Sequence, residues 1–185
     1  PLKDCGDRDV GGRDGRRPRT GYDEWAGDLK LEFFATPEHK FSFALQNVDQ
    51  DDVWRTHKTV KGMHWHGADH GDERMRATDQ DRHLGYLRYE GEQLGRFVDA
   101  VRVTLSLQEQ EEIRRRIKND GRRDEQGFDV DTFGAQLQLE SPSPIGRWTY
   151  GGEFYRDHVD TFKRAWNADG SFRGESVQGP VADDS

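Results

Sequence analysis

The sequence predicts an all-β fold, an antiparallel meander of about six long strands. Two patterns indicate it: apolar and polar residues alternate along several stretches, and short segments rich in turn residues separate many of them. The predicted strands are 24–35, 40–53, 82–90, 98–112, 129–141 and 147–160. Most of them are longer than the roughly 5–6 residues usual in soluble proteins. The sheet is therefore expected to extend further along its strands than the sheets of most soluble proteins.

The first two strands are predicted to form a hairpin. In the first, Leu29, Leu31 and Phe33 alternate with charged residues, which indicates one apolar and one wet face. The alternation resumes at Phe41 after a short turn at 36–39 that contains a proline. Two alternating stretches joined by a short turn are typical of a β-hairpin.

The remaining strands also alternate apolar and polar residues, and the alternation is more regular in some than in others. The stretch 98–112 alternates most cleanly, with Val101, Val103 and Leu105 on one side. The stretches 129–141 and 147–160 also alternate, whereas 82–90 fits the period least well. Six antiparallel strands in sequence order are therefore expected, with the third the weakest.

The lengths of the connections indicate a membrane barrel. The short connections 36–39, 91–96 and 141–146 alternate with the long polar connections 55–78 and 113–128. Short turns at one end and long loops at the other are typical of outer-membrane barrels, whose strands need about 9–11 residues to cross. The sequence thus predicts an incomplete segment of a transmembrane β-barrel, because about eight strands is the smallest known number.

The side chains at the ends and on the polar side of the strands fit this barrel. We expect aromatic girdles at both membrane interfaces, formed by Trp25, Trp54, Phe33, Phe34, Phe41 and Phe43. The charged residues that alternate with the apolar ones are predicted to face a polar interior. They are Asp28, Lys30, Glu32, Arg102, Glu140, Arg147 and Glu153.

Composition excludes several classes of protein. The 185 residues are 31% hydrophobic and 35% charged, without an apolar run of the ~18 residues that a transmembrane helix needs. A net charge of −8 disfavours a nucleic-acid partner, because phosphate binding requires a basic surface. The single cysteine, Cys5, allows neither an internal disulfide nor a thiolate metal cluster.

Several phrases of the sequence resemble one known family. They are Thr20-Gly21-Tyr22-Asp23-Glu24-Trp25, 29–34, 37–40, 50–60, 127–132, 137–146 and 155–160. Together they resemble the barrel of TonB-dependent outer-membrane receptors, over about residues 20–185. Residues 1–20 are interpreted as an irregular polar leader or outer-loop segment, and 21–185 as part of the barrel.

The resemblance implies a transport function rather than an enzyme. Such receptors close a barrel of roughly 22 strands around a plug, and they import a scarce nutrient such as a ferric siderophore, cobalamin or a glycan. The implied location is the outer membrane of a Gram-negative bacterium. The implied partners are outer-membrane lipid and lipopolysaccharide, the plug and remaining barrel strands, the TonB complex and the imported ligand. No cofactor is expected.

The residues proposed to contact the ligand lie in the two predicted long loops. Histidines offer metal-binding or hydrogen-bonding nitrogens and a tryptophan offers a stacking face. The candidates are His57, His64, Trp65, His66, His70, Arg122 and Arg123. A solvated loop with no specific role explains the same histidines, and their spacing alone predicts no metal site.

Two other interpretations concern the same loops. His70, Asp72 and the distant His158 match a two-histidine, one-carboxylate iron site, which would make the chain a soluble jelly-roll oxygenase with Arg164 as a co-substrate anchor. The basic run 114–118 is a candidate for contact with phosphate or lipopolysaccharide. A short helix explains it equally well, since glutamates precede arginines at a spacing of four residues.

Overall fold

The computed structural model describes residues 21–55, 64–65, 68–69 and 73–177. This part of the chain is all-β, as the alternation predicts, and consists of strands and turns. No helix within it is long and apolar enough to cross a membrane. The segment 1–20, predicted to be a polar leader, lies outside the described residues.

Seven strands form one open antiparallel sheet in the order β1-β2-β5-β6-β7-β8-β9, and β3 pairs with β4 in a separate hairpin. The strands are β1 (Asp23–Thr36), β2 (His39–Trp54), β3 (His64–Trp65), β4 (Ala68–Asp69), β5 (Glu73–Glu92), β6 (Ala100–Lys118), β7 (Arg123–Ser143), β8 (Gly146–Trp166) and β9 (Phe172–Ser176). Each sheet strand pairs with its neighbour in sequence among these seven, so the predicted meander is confirmed.

The two ends of the sheet have different connections. At the turn end the connecting segments are 37–38, 93–99 and 144–145. At the loop end they are 55–72, 119–122 and 167–171. The first of these is long, and the other two are tight. Of the connections at the loop end, only the one between β2 and β5 is therefore long, as predicted.

The predicted long loop at 113–128 is wrong. β6 continues to Lys118 and β7 begins at Arg123, so four residues close this hairpin. Gly121 adopts a φ of 89°, and its N–H donates to the carbonyl of Lys118 at 3.0 Å. Glycine reaches this left-handed conformation at no steric cost, which makes the turn possible.

The alternative of a short helix at 111–116 is also wrong, because these residues lie inside β6. The error has a physical cause: the basic run looks like solvated loop in isolation, but acidic residues on neighbouring strands compensate much of its charge. Arg115 is paired with Asp79, and Arg116 is paired with Asp124.

The sheet is larger than predicted in two other places. β5 starts at Glu73 and has 20 residues, although its sequence predicts only 82–90, and the predicted loop 55–78 is correspondingly shorter. A seventh strand, β9, pairs with the loop end of β8 between Lys163 and Trp166. The sheet thus has seven strands where six were predicted.

The sheet is a single layer without a conventional core. Among the described residues, the buried hydrophobic side chains are Ala44 and Ala77 alone, whereas Leu31 is 57% exposed and Leu107 is 66% exposed. A soluble sheet normally covers an apolar face with a second layer of structure. In the described part of this chain, the apolar side chains lie on an uncovered face.

Candidate functional site

One face of the sheet, here called the apolar face, carries apolar rows that run across β1 to β8. Residues paired in register share a face, so the register defines each row. From the turn end, the rows are Val101, Leu139 and Tyr150; Phe33, Phe41, Tyr89, Val103 and Leu137; Leu31, Phe43, Leu87, Leu105, Ala135 and Phe154; and Leu29, Leu45, Leu107 and Phe133. The remaining positions of these rows are Thr36, His39, Gly85, Gly91, Gly152 and Arg156.

The apolar face extends further at the turn end, where Leu94, Phe97, Ile145 and Trp148 are all exposed. From Trp148 to Arg156 the face covers about 27 Å along β8, at ~3.4 Å per residue. At a strand tilt of about 40° this corresponds to about 21 Å of height, close to the ~25 Å lipid-facing band of membrane barrels.

Aromatic side chains cluster at the turn end of this face. The rings of Phe41 and Tyr89 lie 5.1 Å apart, and Nδ1 of His39 lies 2.8 Å from the hydroxyl of Tyr89. Phe33, predicted to belong to the same girdle, shares the apolar face. Phe34 is on the opposite face, because successive residues of a strand point to opposite sides.

The apolar face is hollowed. A groove of about 1070 Å³ lies against it, with a wall formed by residues from β1 to β8. The apolar part of the wall includes Leu29, Leu45, Leu107 and Phe133, and Trp25 lies at one margin. Because strands at both sides of the sheet line one groove, the sheet curves toward its apolar face there.

A row of carboxylates crosses the apolar face toward the loop end. Asp49, Asp81, Glu111, Asp129 and Asp160, here called the acidic row, are paired in register on five adjacent strands. Neighbouring strands are about 4.8 Å apart, so like charges meet at every step. The apolar surface therefore ends where a strongly negative surface begins.

This repulsion affects the acids in the middle of the row. Burial, followed by the charges of Asp49 and Asp51, raises the pKa of Asp81. Burial, followed by the charges of Asp129 and Asp81, raises the pKa of Glu111. Both carboxyl groups lie toward the loop end, outside the apolar rows. Burial disfavours the charged form of a carboxyl group, and neighbouring carboxylates add to this effect, which explains the direction.

Three acids near this row are close enough to share a cation. Carboxylate oxygens of Glu109, Asp129 and Asp131 lie within 4.8 Å of one another. Oxygen ligands of this kind suit calcium or magnesium. All three residues are exposed, however, so their charges are already solvated, and the geometry alone does not distinguish a metal site from a negative surface.

The opposite, polar face carries networks of ion pairs. Lys40 lies 2.6 Å from Glu90 and 3.8 Å from Glu32, and Arg102 lies 3.0 Å from Glu90. Arg147 contacts Glu140 at 3.0 Å. The charged residues predicted to face the interior do share this one face. The two faces thus differ as the alternation predicts.

The histidine loop is only partly described. His57, His66 and His70 lie outside the described residues, and the backbone of His64 and Trp65 forms β3. Their role as ligand contacts stays a prediction.

The two predicted arginine contacts are in the tight turn at 119–122 and at the start of β7. The side chain of Arg122 donates to Asp120 at 2.6 Å, which stabilises the turn, and Arg123 is exposed. Hydrogen bonds from the backbone and side chain of Arg122 lower the pKa of Asp120. A ligand of Arg122 would have to compete with this pair.

The iron-site alternative gains no support from the described residues. His70 and Asp72 are outside them, and His158 is exposed, with Nε2 3.4 Å from Asp160. Arg164 is paired with Glu175 at 3.1 Å. A jelly roll needs two facing sheets with Greek-key connections, whereas the described strands of the large sheet form one meander.

Comparison of the chain with protein-family models, with curated proteins and with solved structures gives no match.

Proposed function

We propose that this chain is a wall segment of an outer-membrane β-barrel of the TonB-dependent receptor type, which takes up a scarce nutrient. One observation carries the proposal: no other described part of the chain covers the apolar face over about 27 Å of strand, while the other face is polar and ion-paired. Lipid outside and water inside a barrel demand this division of faces.

The edges of the sheet also support the proposal. β1 has no partner on its outer side among the described residues, and β9 covers only the loop end of β8, where Lys163 pairs with Ser176. Unpaired edges of this length invite association with other strands. In the proposed barrel, further strands pair with both edges.

The charge distribution gives the orientation of the proposed segment. The acidic row and the basic end of β6 extend beyond the apolar rows at the loop end. Short turns lie at the inner surface of outer-membrane barrels, and longer, polar extensions lie outside. In the proposed barrel, the loop end faces the cell exterior.

A second candidate function follows from the groove. In a closed barrel the lipid-facing surface is convex, whereas the apolar face here is hollow and carries an open groove of about 1070 Å³. A hollow apolar surface with polar groups at its margin is typical of sites for apolar ligands. The second candidate is thus a carrier that covers its apolar face with a bound lipid chain.

One experiment separates the two functions. A fluorophore sensitive to polarity is attached to single cysteines on β7, at Leu137→Cys, Gln136→Cys or Asp129→Cys, in a Cys5→Ser background. Position 137 is in the middle of the apolar face, 136 is the matched control on the polar face, and 129 is in the acidic row. Solubility and far-UV circular dichroism are compared in buffer and in lipid vesicles.

The barrel proposal expects the β signal only with lipid or detergent, a blue shift at 137 alone, and quenching at 137 by nitroxides attached to lipid tails. The carrier expects a monomer that folds in buffer and binds a fatty acid saturably, with the label at 137 responding to the acid. A chain that folds in buffer, with an apolar face that responds to neither lipid nor fatty acid, contradicts both.

A further inference from the structure

Arg114 differs from the arginines beside it. On the same strand, Arg115 is paired with Asp79, and Arg116 lies 2.6 Å from Asp124 and 3.4 Å from Glu73. Within the described part of the chain, Arg114 has no ion pair, and its buried Nε, like that of Arg115, has no hydrogen-bond partner. An unpaired buried donor is costly, so such groups usually have a partner or a ligand.

The surroundings of Arg114 leave its charge uncompensated. Burial, followed by the charges of Arg76 and Arg116, lowers the pKa of Arg114, and the attraction of Asp124 and Glu73 does not reverse the shift. Arg114 lies toward the loop end, beyond the apolar rows. A partly buried cation without an ion pair of its own among the described residues favours an added anion.

The register places two further donors beside Arg114 on the polar face. Gln126 is directly opposite Arg114, and Lys163 is directly opposite Gln126. Gln126 is only 8% exposed, and its side-chain amide has no hydrogen-bond partner among the described residues. Lys163 likewise has no ion pair there. A guanidinium, an amide and an ammonium group thus follow one another across three strands.

A groove gives access to Arg114 and Gln126. It has a volume of about 300 Å³ and is lined by Glu112, Arg114, Gln126, Gly127, Phe128 and Thr161. Glu112 accepts a hydrogen bond from the Gln80 amide at 3.5 Å. Its negative charge repels an anion, so an anion in this groove is expected on the side of Gln126.

We propose that Arg114, Gln126 and Lys163 form a binding site for the phosphate or carboxylate group of a water-soluble molecule. Guanidinium groups bind both oxyanions through paired N–H donors, and the buried amide adds a directional donor. The site lies on the face opposite the apolar rows, which favours a solute over a lipid headgroup. It depends on the strand register alone, so it stands independently of the proposed membrane role.

The test is a titration of the whole chain, labelled with ¹⁵N-arginine, at constant ionic strength. The probes are inorganic phosphate and citrate, used in whichever of buffer or detergent micelles gives the β signal. The expected result is a saturable shift of one Nε–H resonance, which the Arg114→Met variant lacks and thereby assigns. Arg114→Met and Gln126→Leu are each expected to weaken binding at least tenfold.

Arg156→Gln is the matched control, because it removes an exposed positive charge on the opposite face. It should bind within twofold of the unmodified chain, and circular dichroism should be the same for every variant. A shift that never saturates with either probe overturns the proposal. So does saturation only by a short-chain phosphatidylglycerol, which assigns the site to lipid. If a variant fails to fold, the titration of the unmodified chain still tests whether the anion binds saturably.

Discussion

The turn-end and loop-end halves of this sheet are made from the same strands but are stabilised differently. At the turn end the two faces are separated into apolar and polar surfaces, as in the row that contains Leu137. At the loop end both faces are charged, and ion pairs such as Arg116 with Asp124 replace apolar contacts. The hydrogen-bonded pairing of the strands therefore continues without a break from the part of the sheet with one apolar face into the part where both faces are charged.

The largest expected effect tests the apolar half. If lipid or detergent covers the apolar face, Leu137→Arg places a charge in the middle of it and should lower the free energy of unfolding in micelles by about 3 kcal/mol. Urea titration followed by circular dichroism measures the change.

The matched control is Gln136→Arg, the preceding residue on the polar face, opposite Glu153. It should change the free energy of unfolding by less than about 0.5 kcal/mol, as is usual for exposed substitutions. Equal effects of the two substitutions would mean that the two faces meet the same solvent, and the division between the faces would then have no membrane role.

The next effect tests the charged half. Arg116→Met removes the cation between two buried carboxylates, Glu73 and Asp124, and should destabilise the sheet by about 2 kcal/mol, because both acids are left without this partner. The same urea titration measures it. Arg122→Met breaks an exposed pair with Asp120 and serves as the control, with an expected change below about 0.5 kcal/mol.

Sequence alone was sufficient to predict the strands where apolar and polar residues alternate simply. The predicted strands 24–35 and 40–53 agree with β1 and β2 to within a residue at each end. There, apolar side chains recur at every second position next to the turn, from Leu29 to Phe33 and from Phe41 to Leu45, and the two strands of the hairpin are adjacent in sequence. The pattern therefore reports the backbone directly, and it also predicted which charged residues share the polar face.

The prediction of strands from sequence failed where charged residues are paired with opposite charges on neighbouring strands. In 113–118 the apolar period is carried by Ile113 and Ile117 alone, and the arginines between them look solvated unless Asp79 and Asp124 are known to face them. The signal that was missed is Asp120-Gly121, a common hairpin turn pair. It marks a tight turn in the middle of the predicted loop.

The proposed anion site could not be predicted from the sequence for the same reason, because it depends on which residues of neighbouring strands lie side by side. Arg114 belongs to a recognisable basic run, but nothing in the run distinguishes it from its neighbours. Arg114 has no carboxylate partner among the described residues and lies opposite the buried Gln126, and neither fact can be read without the register of β6 with β7. A shift of one residue would exchange the faces and remove the site.

A smaller effect is expected at the loop-end turn. Gly121→Ala should cost about 1 kcal/mol, because φ is 89° and the added Cβ would lie 3.2 Å from that of Ala168. Thermal unfolding in micelles measures it. Gly152→Ala is the opposite case: this residue lies within a strand and a Cβ there meets nothing within 4 Å, so a gain of about 0.5 kcal/mol is expected. Changes of the same sign would contradict this difference between the two glycines.

The smallest effect concerns the acidic row. Since the pKa of Asp81 is raised above its ordinary 3.8, the charged carboxylate destabilises the folded sheet at neutral pH. Asp81→Asn should therefore stabilise the sheet at pH 7 by about 0.5 kcal/mol, a modest gain because water partly screens the row. Unfolding of both proteins is measured between pH 7 and pH 3.

The pH dependence of this gain identifies its cause. As pH falls through the raised pKa, the folded protein takes up a proton that the unfolded chain still lacks, so the penalty declines and is gone below pH 3.8. The two proteins should then become equally stable. Glu92→Gln, which removes a charge at the turn end, is the control and should show no such convergence. A gain for Asp81→Asn that persists at low pH would assign the effect to packing, and the acidic row would then contribute nothing to the difference between the two halves.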